Sequence, residues 1–266
     1  MTDQDTLGGQ TTGRTTPTRG SIVAAILAMG ALALAGLLAV WLLFGWIATT
    51  PHEFDQVAVE LERELDRPSD PDRFRATQLA GALGEAPPRV AVNALRRAIQ
   101  SSQPSALRQT ALMSFARLAE KHDLPPLPLF VDELASLLVD DQEDRHVQEL
   151  SAYLLGFLED RAAVPALTGA LNHPSSSVRY NAAVALARLG SEASLSTLRE
   201  MLSAENTAAD DDARRVLLAF KGLDALSRRR PEVDFSSVLD VVRRQTESRN
   251  IRVRSEARGW LARRQR

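Results

Sequence analysis

Arginine is the side chain whose placement recurs in register along this sequence. Three segments align residue by residue: LRQTALMSFARL at 107–118, VRYNAAVALARL at 178–189 and VRSEARGWLARR at 253–264. Arg108, Arg179 and Arg254 share one slot of that alignment, and Arg117, Arg188 and Arg263 share another. Side chains that repeat at one slot of stacked elements form a column. A column of guanidinium groups could grip carboxylates, phosphates or anionic lipid headgroups, because each group keeps its charge and offers a planar fork of donors. The plainer reading of the same six residues is the solvated face of amphipathic helices in an arginine-biased chain, where Lys occurs only as Lys121 and Lys221. Arg263, Arg264 and Arg266 would also complement the negative end of a last helix without any ligand. The six column arginines are the candidate partner-binding residues.

Other residues capable of chemistry do not converge in the sequence. His52, His122, His146 and His173 are scattered, and none stands at ligand spacing to another. Asp210-Asp211-Asp212 could meet a calcium ion, but one acidic run without a glycine-bearing loop pattern fits better as the negative complement of a helix start. Pro125-Pro126-Leu127-Pro128 has a PxxP spacing and reads as a stiff connector that delays the next helix. With no cysteine there is no thiolate nucleophile, disulfide or Cys-based zinc site. No glycine-rich phosphate loop, GxSxG elbow or Ser/His/Asp arrangement appears, so no catalytic residue, metal or cofactor is expected and a non-enzymatic role follows.

The elements that must position these residues are helices. In Asp160–Gly190 the apolar residues fall at Val164, Leu167, Ala170 and Leu171, then at Val178, Ala182, Ala185, Leu186 and Leu189, two helical stripes separated by a polar break. Asp160 is placed to cap the first helix, whose first turn tolerates Pro165. Ser175 to Ser177 offer a cap for the second, and Gly190 suits a left-handed C-terminal position. The same pairing recurs from residue 54 to residue 262. Residues 54–65 pair with 75–84, 90–99 with 107–118, and 130–138 with 147–158. Residues 164–171 pair with 178–189, 195–202 with 213–223, and 238–242 with 253–262. Ala111, Ala182 and Ala257 sit where two helices would cross closely, and Phe115, Leu186 and Leu261 one turn later would fill the space between neighbouring pairs. Such short helices are unstable alone and must stack to bury their stripes.

The N-terminal end is of another kind. Residues 1–20 are rich in Thr, Gly and Gln and read as a disordered tail. Ser21 to Ile47 carries no charge, and 27 such residues would make a helix of about 40 Å, enough for a tilted crossing of a bilayer. A transmembrane helix over 21–48 is the expectation, with Trp41, Phe44 and Trp46 at one interface. A cleaved signal peptide would have a shorter apolar core. Arg14 and Arg19 precede the span, against Arg63 alone close after it, which places the N-terminus in the cytoplasm and the C-terminal domain outside it. Ala24, Ala28, Ala31, Ala35 and Ala39 form a small-residue stripe that permits self-association in lipid. Charge is uneven as well: residues 213–266 hold 15 Lys and Arg against 6 Asp and Glu, leaving 17 against 28 before them.

The segment VPALTGALNHPSSSVRYNAAVALARLG resembles the HEAT repeat, in the short HEAT-like variant first associated with phycobilisome lyases, and the resemblance extends over about residues 54–262. Its turn, Asn172-His173-Pro174, departs from the acidic residue that this variant carries before the proline, the position that supports an Asp–Arg ladder between repeats. HEAT-like enzymes similar to deoxyhypusine hydroxylase hold iron through several His-Glu pairs, whereas this sequence has only His52-Glu53. The resemblance implies an all-α fold: an alpha solenoid of about six HEAT-like helix pairs over 52–266, preceded by one transmembrane helix. It also implies a scaffold that binds protein partners. The rival expectation is a cytoplasm-facing solenoid whose basic C-terminal end binds anionic membrane or nucleic acid, the latter disfavoured by the net charge of −2. A HEAT-like lyase is the remote one.

Overall fold

The computed structural model describes residues 51–67, 73–100, 102–122, 124, 127–204 and 210–264. The chain divides into two units, Met1–Pro51 and His52–Arg266. The tail over 1–20 and the membrane helix over 21–48 lie outside the described residues. Among those residues, no helix is long and apolar enough to cross a membrane.

The described residues of the second unit form twelve α-helices and no strand. In chain order these are α1 (Pro51–Asp66), α2 (Phe74–Ala82), α3 (Pro88–Ile99), α4 (Ser105–Lys121), α5 (Pro128–Val139) and α6 (Arg145–Leu155). They continue with α7 (Val164–Ala170), α8 (Ser176–Arg188), α9 (Leu195–Leu202), α10 (Asp210–Arg229), α11 (Ser236–Gln245) and α12 (Ile251–Arg264). Each odd-numbered helix and the even-numbered one after it correspond to one of the six pairs read from the apolar stripes. The even-numbered helices stack in a continuous layer, α2 on α4, α4 on α6, α6 on α8, α8 on α10 and α10 on α12. Odd-numbered helices form the other layer, with α5 on α7 and α9 on α11. This is an alpha solenoid.

The crossing-point logic holds at each alanine: Ala111, Ala182 and Ala257 are all fully buried. The filling residue is buried as Phe115 and Leu186, but in α12 Leu261 is only half-buried and Trp260 takes the covered position, its ring against Phe235 with centroids 5.6 Å apart. Among the described residues no helix pair packs on the outer side of α12 to cover Leu261. At the centre, α8 serves two cores. Ala182, Ala185 and Leu186 belong to the cluster shared with α1–α7, while Ala183, Val184 and Ala187 join the cluster of α9–α12. Six consecutive buried residues therefore fasten the two halves together.

Local details correct two expectations. Asp160 caps a 3-10 turn, Arg161–Ala163, rather than α7 itself, accepting a hydrogen bond from the Ala162 N–H at 2.9 Å. Pro165 then falls in the first turn of α7, where its missing N–H costs nothing. The hydroxyl of Ser175 makes no cap. The Ser175 N–H itself donates to His173 Nδ1 at 3.1 Å, so the imidazole at the departing turn fixes the residue that precedes α8. Gly190 does adopt the left-handed conformation, with φ 77°. A Cβ there would lie 2.9 Å from Arg229 Cγ, a movable atom, so the backbone dominates the penalty. Gly190→Ala is expected to cost about 1–2 kcal/mol, read as a fall of about 2–8 °C in thermal midpoint; an unchanged midpoint would show that α8 does not depend on this terminus.

Candidate functional site

The six candidate arginines separate into two groups with different work. Those of the first slot hold turns and neighbouring repeats. Arg108 lies in α4 with its side chain 11% exposed and pairs with Glu143 at 2.6 Å, whose own side chain is 2% exposed. Arg179 donates to the carbonyls of His173 at 3.0 Å and Pro174 at 3.1 Å, and reaches Glu200 at 3.2 Å. Arg254 donates to the Ser248 carbonyl at 2.6 Å. In both α8 and α12 the arginine closes over the loop that begins its own helix, six residues back, and so satisfies carbonyls of that loop.

The second slot leads to a surface. Arg117 is exposed on α4, beside Gly84 and Glu85. Arg263 pairs with Asp224 of α10 at 3.1 Å and with Glu256 at 3.2 Å. Arg188, at the last turn of α8, stacks over the Phe157 ring with its guanidinium carbon 3.9 Å from the centroid and 5.9 Å from that of Tyr153. Burial holds its pKa below the ordinary arginine value, although a guanidinium stays charged at any ordinary pH. The Tyr153 hydroxyl donates to Glu120, and burial followed by that bond raises the phenol above its usual value. Tyr153 is thus fixed as a neutral wall under the cation.

Arg188 lines a groove of about 590 Å³ that runs across the C-terminal ends of α6, α8 and α10. Phe157 and Glu159 form one side, and Lys221, Asp224, Arg228 and Arg229 of α10 form the other. A second hollow of about 330 Å³ shares Asp224 and Arg228 and continues the groove to Trp260, Arg263 and Arg264 of α12. Arg264 lies 3.9 Å over Phe235. Glu159 reaches Arg229 at 3.2 Å, across 70 positions of sequence and past the end of α8, a contact two repeats long. Glu159 also has φ 53°, an uncommon left-handed backbone for a side-chain-bearing residue.

The lining holds four cations against two carboxylates, and each carboxylate already has its arginine: Glu159 has Arg229 and Asp224 has Arg263. No carboxylate of the described residues lies within ion-pair distance of Arg188, Lys221 or Arg228. Phe157, Lys221 and Arg228 were not distinguished by the sequence pattern. Arg228 lies well beyond the apolar stripe read at 213–223, because α10 runs on through charged turns at both ends. Among the described residues, no three histidine or carboxylate side chains gather as metal ligands would.

Polar contacts between repeats recur too, from positions other than the Asn172-His173-Pro174 turn. Arg96 meets Glu133 at 2.7 Å, Arg199 meets Asp240 at 2.7 Å, and Gln109 meets Asp144 at 3.0 Å. Sequence separations of 37, 41 and 35 match one repeat step.

The family model of HEAT repeats matches residues 131–221. That span takes in the central helix pairs, from α5 into α10. No curated protein matched the sequence. Among solved structures, an engineered protein is similar at 19% identity over 77% of this chain and 94% of its own, with a TM-score of 0.49. The complex of CpcE and CpcF of phycocyanin lyase from Nostoc sp. is 21% identical over 72% of this chain and 66% of that one, with a TM-score of 0.44. Human deoxyhypusine hydroxylase is 16% identical over 79% and 96%, with a TM-score of 0.36.

Proposed function

We infer that this protein is a membrane-anchored scaffold whose HEAT-repeat solenoid binds other proteins without catalysing a reaction. The observation that carries the reading is the groove at the ends of α6, α8, α10 and α12, where stacked helices present cations and aromatic rings in sequence across several repeats. A surface assembled one repeat at a time suits an extended partner better than a compact substrate, because its lining residues come from successive repeats. The uncharged stretch from Ser21 to Ile47 supports a single crossing of the membrane, and the arginines before it support a cytoplasmic N-terminus with the solenoid outside the cytoplasm.

A reporter that is active only outside the cytoplasm, fused after Arg266, should be active, and the chain should resist extraction from membranes by carbonate. Activity of a cytoplasm-only reporter in the same position would reverse the topology, and release by carbonate would remove the anchor.

A further inference from the structure

We propose that the groove between Phe157 and Arg264 receives an extended acidic segment of a partner protein, with its carboxylates on Arg188, Lys221 and Arg228 and its backbone against the paired carboxylates. The inference rests on the scaffold reading and supplies the chemistry of the partner. Three features of the lining point to it. First, Arg188 is half-buried, lies over the Phe157 ring at 3.9 Å, and has no carboxylate of the described residues within ion-pair distance, Glu120 and Glu159 acting on its charge only from farther off. Arginines that serve the fold here, such as Arg108, Arg179 and Arg254, end on a carboxylate or on backbone carbonyls. The Arg188 fork is instead preorganised for an acceptor from outside, with little rotamer freedom left to lose on binding.

Second, the lining is mixed in sign. Glu159 and Asp224 sit among the cations, each neutralised by one arginine and still able to accept hydrogen bonds. A peptide brings both carboxylates for the free cations and N–H donors for these acceptors. A nucleic-acid backbone or an anionic bilayer presents negative charge throughout and would meet the same carboxylates with repulsion.

Third, the spacing fits. Adjacent helices of the layer stand about 10 Å apart, and an extended chain covers about 10 Å in three residues. Arg188 on α8 and the Lys221–Arg228 face of α10 are one such step apart, so acidic residues at every third position of a chain in the polyproline II conformation, where every third side chain returns to the same face after about 9 Å, would reach successive cations. Phe157 supplies apolar floor at one end, and at the other Arg264 lies over Phe235.

The test uses the full-length chain in a non-ionic detergent and a fluorescein-labelled peptide of about twelve residues with Glu at every third position and small neutral residues between, read by fluorescence anisotropy at low salt. The peptide should bind, and Lys221→Gln with Arg228→Gln should weaken it at least about tenfold. Both residues are exposed, so the pair tests the site without disturbing the stack. Arg188→Met should weaken binding as much while leaving the circular dichroism spectrum unchanged. Arg243→Gln, an exposed charge on α11 away from the groove, should have no effect. Equal weakening by Arg243→Gln would reduce the effect to general charge and overturn the proposal. So would absence of peptide binding, or tighter binding through the same residues of inorganic phosphate, single-stranded DNA or phosphatidylglycerol vesicles. Such a failure leaves the membrane topology result standing, whereas a cytoplasmic, carbonate-extractable chain would remove the anchor without touching the peptide measurement.

Discussion

Replacing Glu143 with alanine will lower the stability of the solenoid by about 3–5 kcal/mol, the cost of breaking a buried ion pair from one side. Glu143 lies in the loop between α5 and α6 with its side chain 2% exposed. Its Oε1 accepts from Arg108 of α4 at 2.6 Å and from the Asp144 N–H at 2.7 Å. Asp144 in turn caps α6 by accepting from the His146 N–H at 2.8 Å, and accepts from Gln109 of α4 at 3.0 Å. One carboxylate therefore organises the loop that seats the third pair on the second. Without it, the Arg108 guanidinium stays in a place from which water is largely excluded and loses the buried carboxylate 2.6 Å away. The Asp144 N–H loses an acceptor at the same time, and burying a polar group without a partner carries a penalty of its own.

The size of the loss is checked by urea titration of the full-length chain in non-ionic detergent, followed by far-ultraviolet circular dichroism. Hydrogen exchange should locate it in α4 to α6, since a solenoid loses order through its nearest-neighbour interfaces. Glu143→Gln keeps an acceptor and should lose less. The double change Arg108→Met with Glu143→Leu should recover most of the loss, because an apolar pair of similar volume avoids desolvating two charges. A Glu143→Ala chain within about 1 kcal/mol of the parent would mean the pair is solvated in practice and that packing alone seats α6.

The helices were legible because burial in a solenoid leaves a regular trace. Each pair hides one stripe per helix, so the apolar positions repeat with the helical period, and the shared slot of Ala111, Ala182 and Ala257 aligned distant units without any knowledge of contacts. What the stripe cannot register is the length of a helix beyond its buried part. Helix α10 extends from Asp210 to Arg229, whereas its apolar residues pointed to 213–223, since the added turns begin in aspartate and end in arginine. The groove shows the same effect. Arg188 and Arg263 could be found because they share a repeat slot, but Lys221 and Arg228 lie on turns that repeat nowhere else, and Phe157 acts from just beyond the end of α6. The arginines also show that residues in one sequence slot can do different things. Arg179 and Arg254 close loops, while Arg108 in the same slot enters a buried ion pair. Neighbours from the adjoining repeat decide the difference, and for Arg108 the deciding one is 35 residues away.

Gly156→Ala will destabilise the chain by about 2–3 kcal/mol, although the same change at Gly169 will stabilise it by about 0.5–1 kcal/mol. Neither glycine is needed for a left-handed backbone, as Gly156 closes α6 at φ −72° and Gly169 lies within α7. Helix propensity favours alanine at both, so the opposite signs must come from space. A Cβ on Gly169 would meet nothing within 4 Å. On Gly156 it would stand 2.8 Å from Ala185 Cα and 2.9 Å from Ala185 Cβ, and Ala185 is 2% exposed in the middle of α8. The obstructing atoms are the Cα of a helix packed on both sides and the Cβ fixed to it, so they cannot turn away as a leucine end can at Gly222, where the near atom is Leu198 Cδ2. For the same reason Ala185→Gly will not restore the Gly156→Ala chain: it removes one close atom and leaves the Cα in place. The α6–α8 approach also sets the height of Phe157 beneath Arg188, one residue beyond the glycine. Even where the Gly156→Ala chain remains folded, the guanidinium should lose its aromatic support and acidic-peptide affinity should fall together with stability. Stability lost with affinity retained would show that the Arg188 fork is held from α8 alone, and that the closeness of the two helices serves the core rather than the groove.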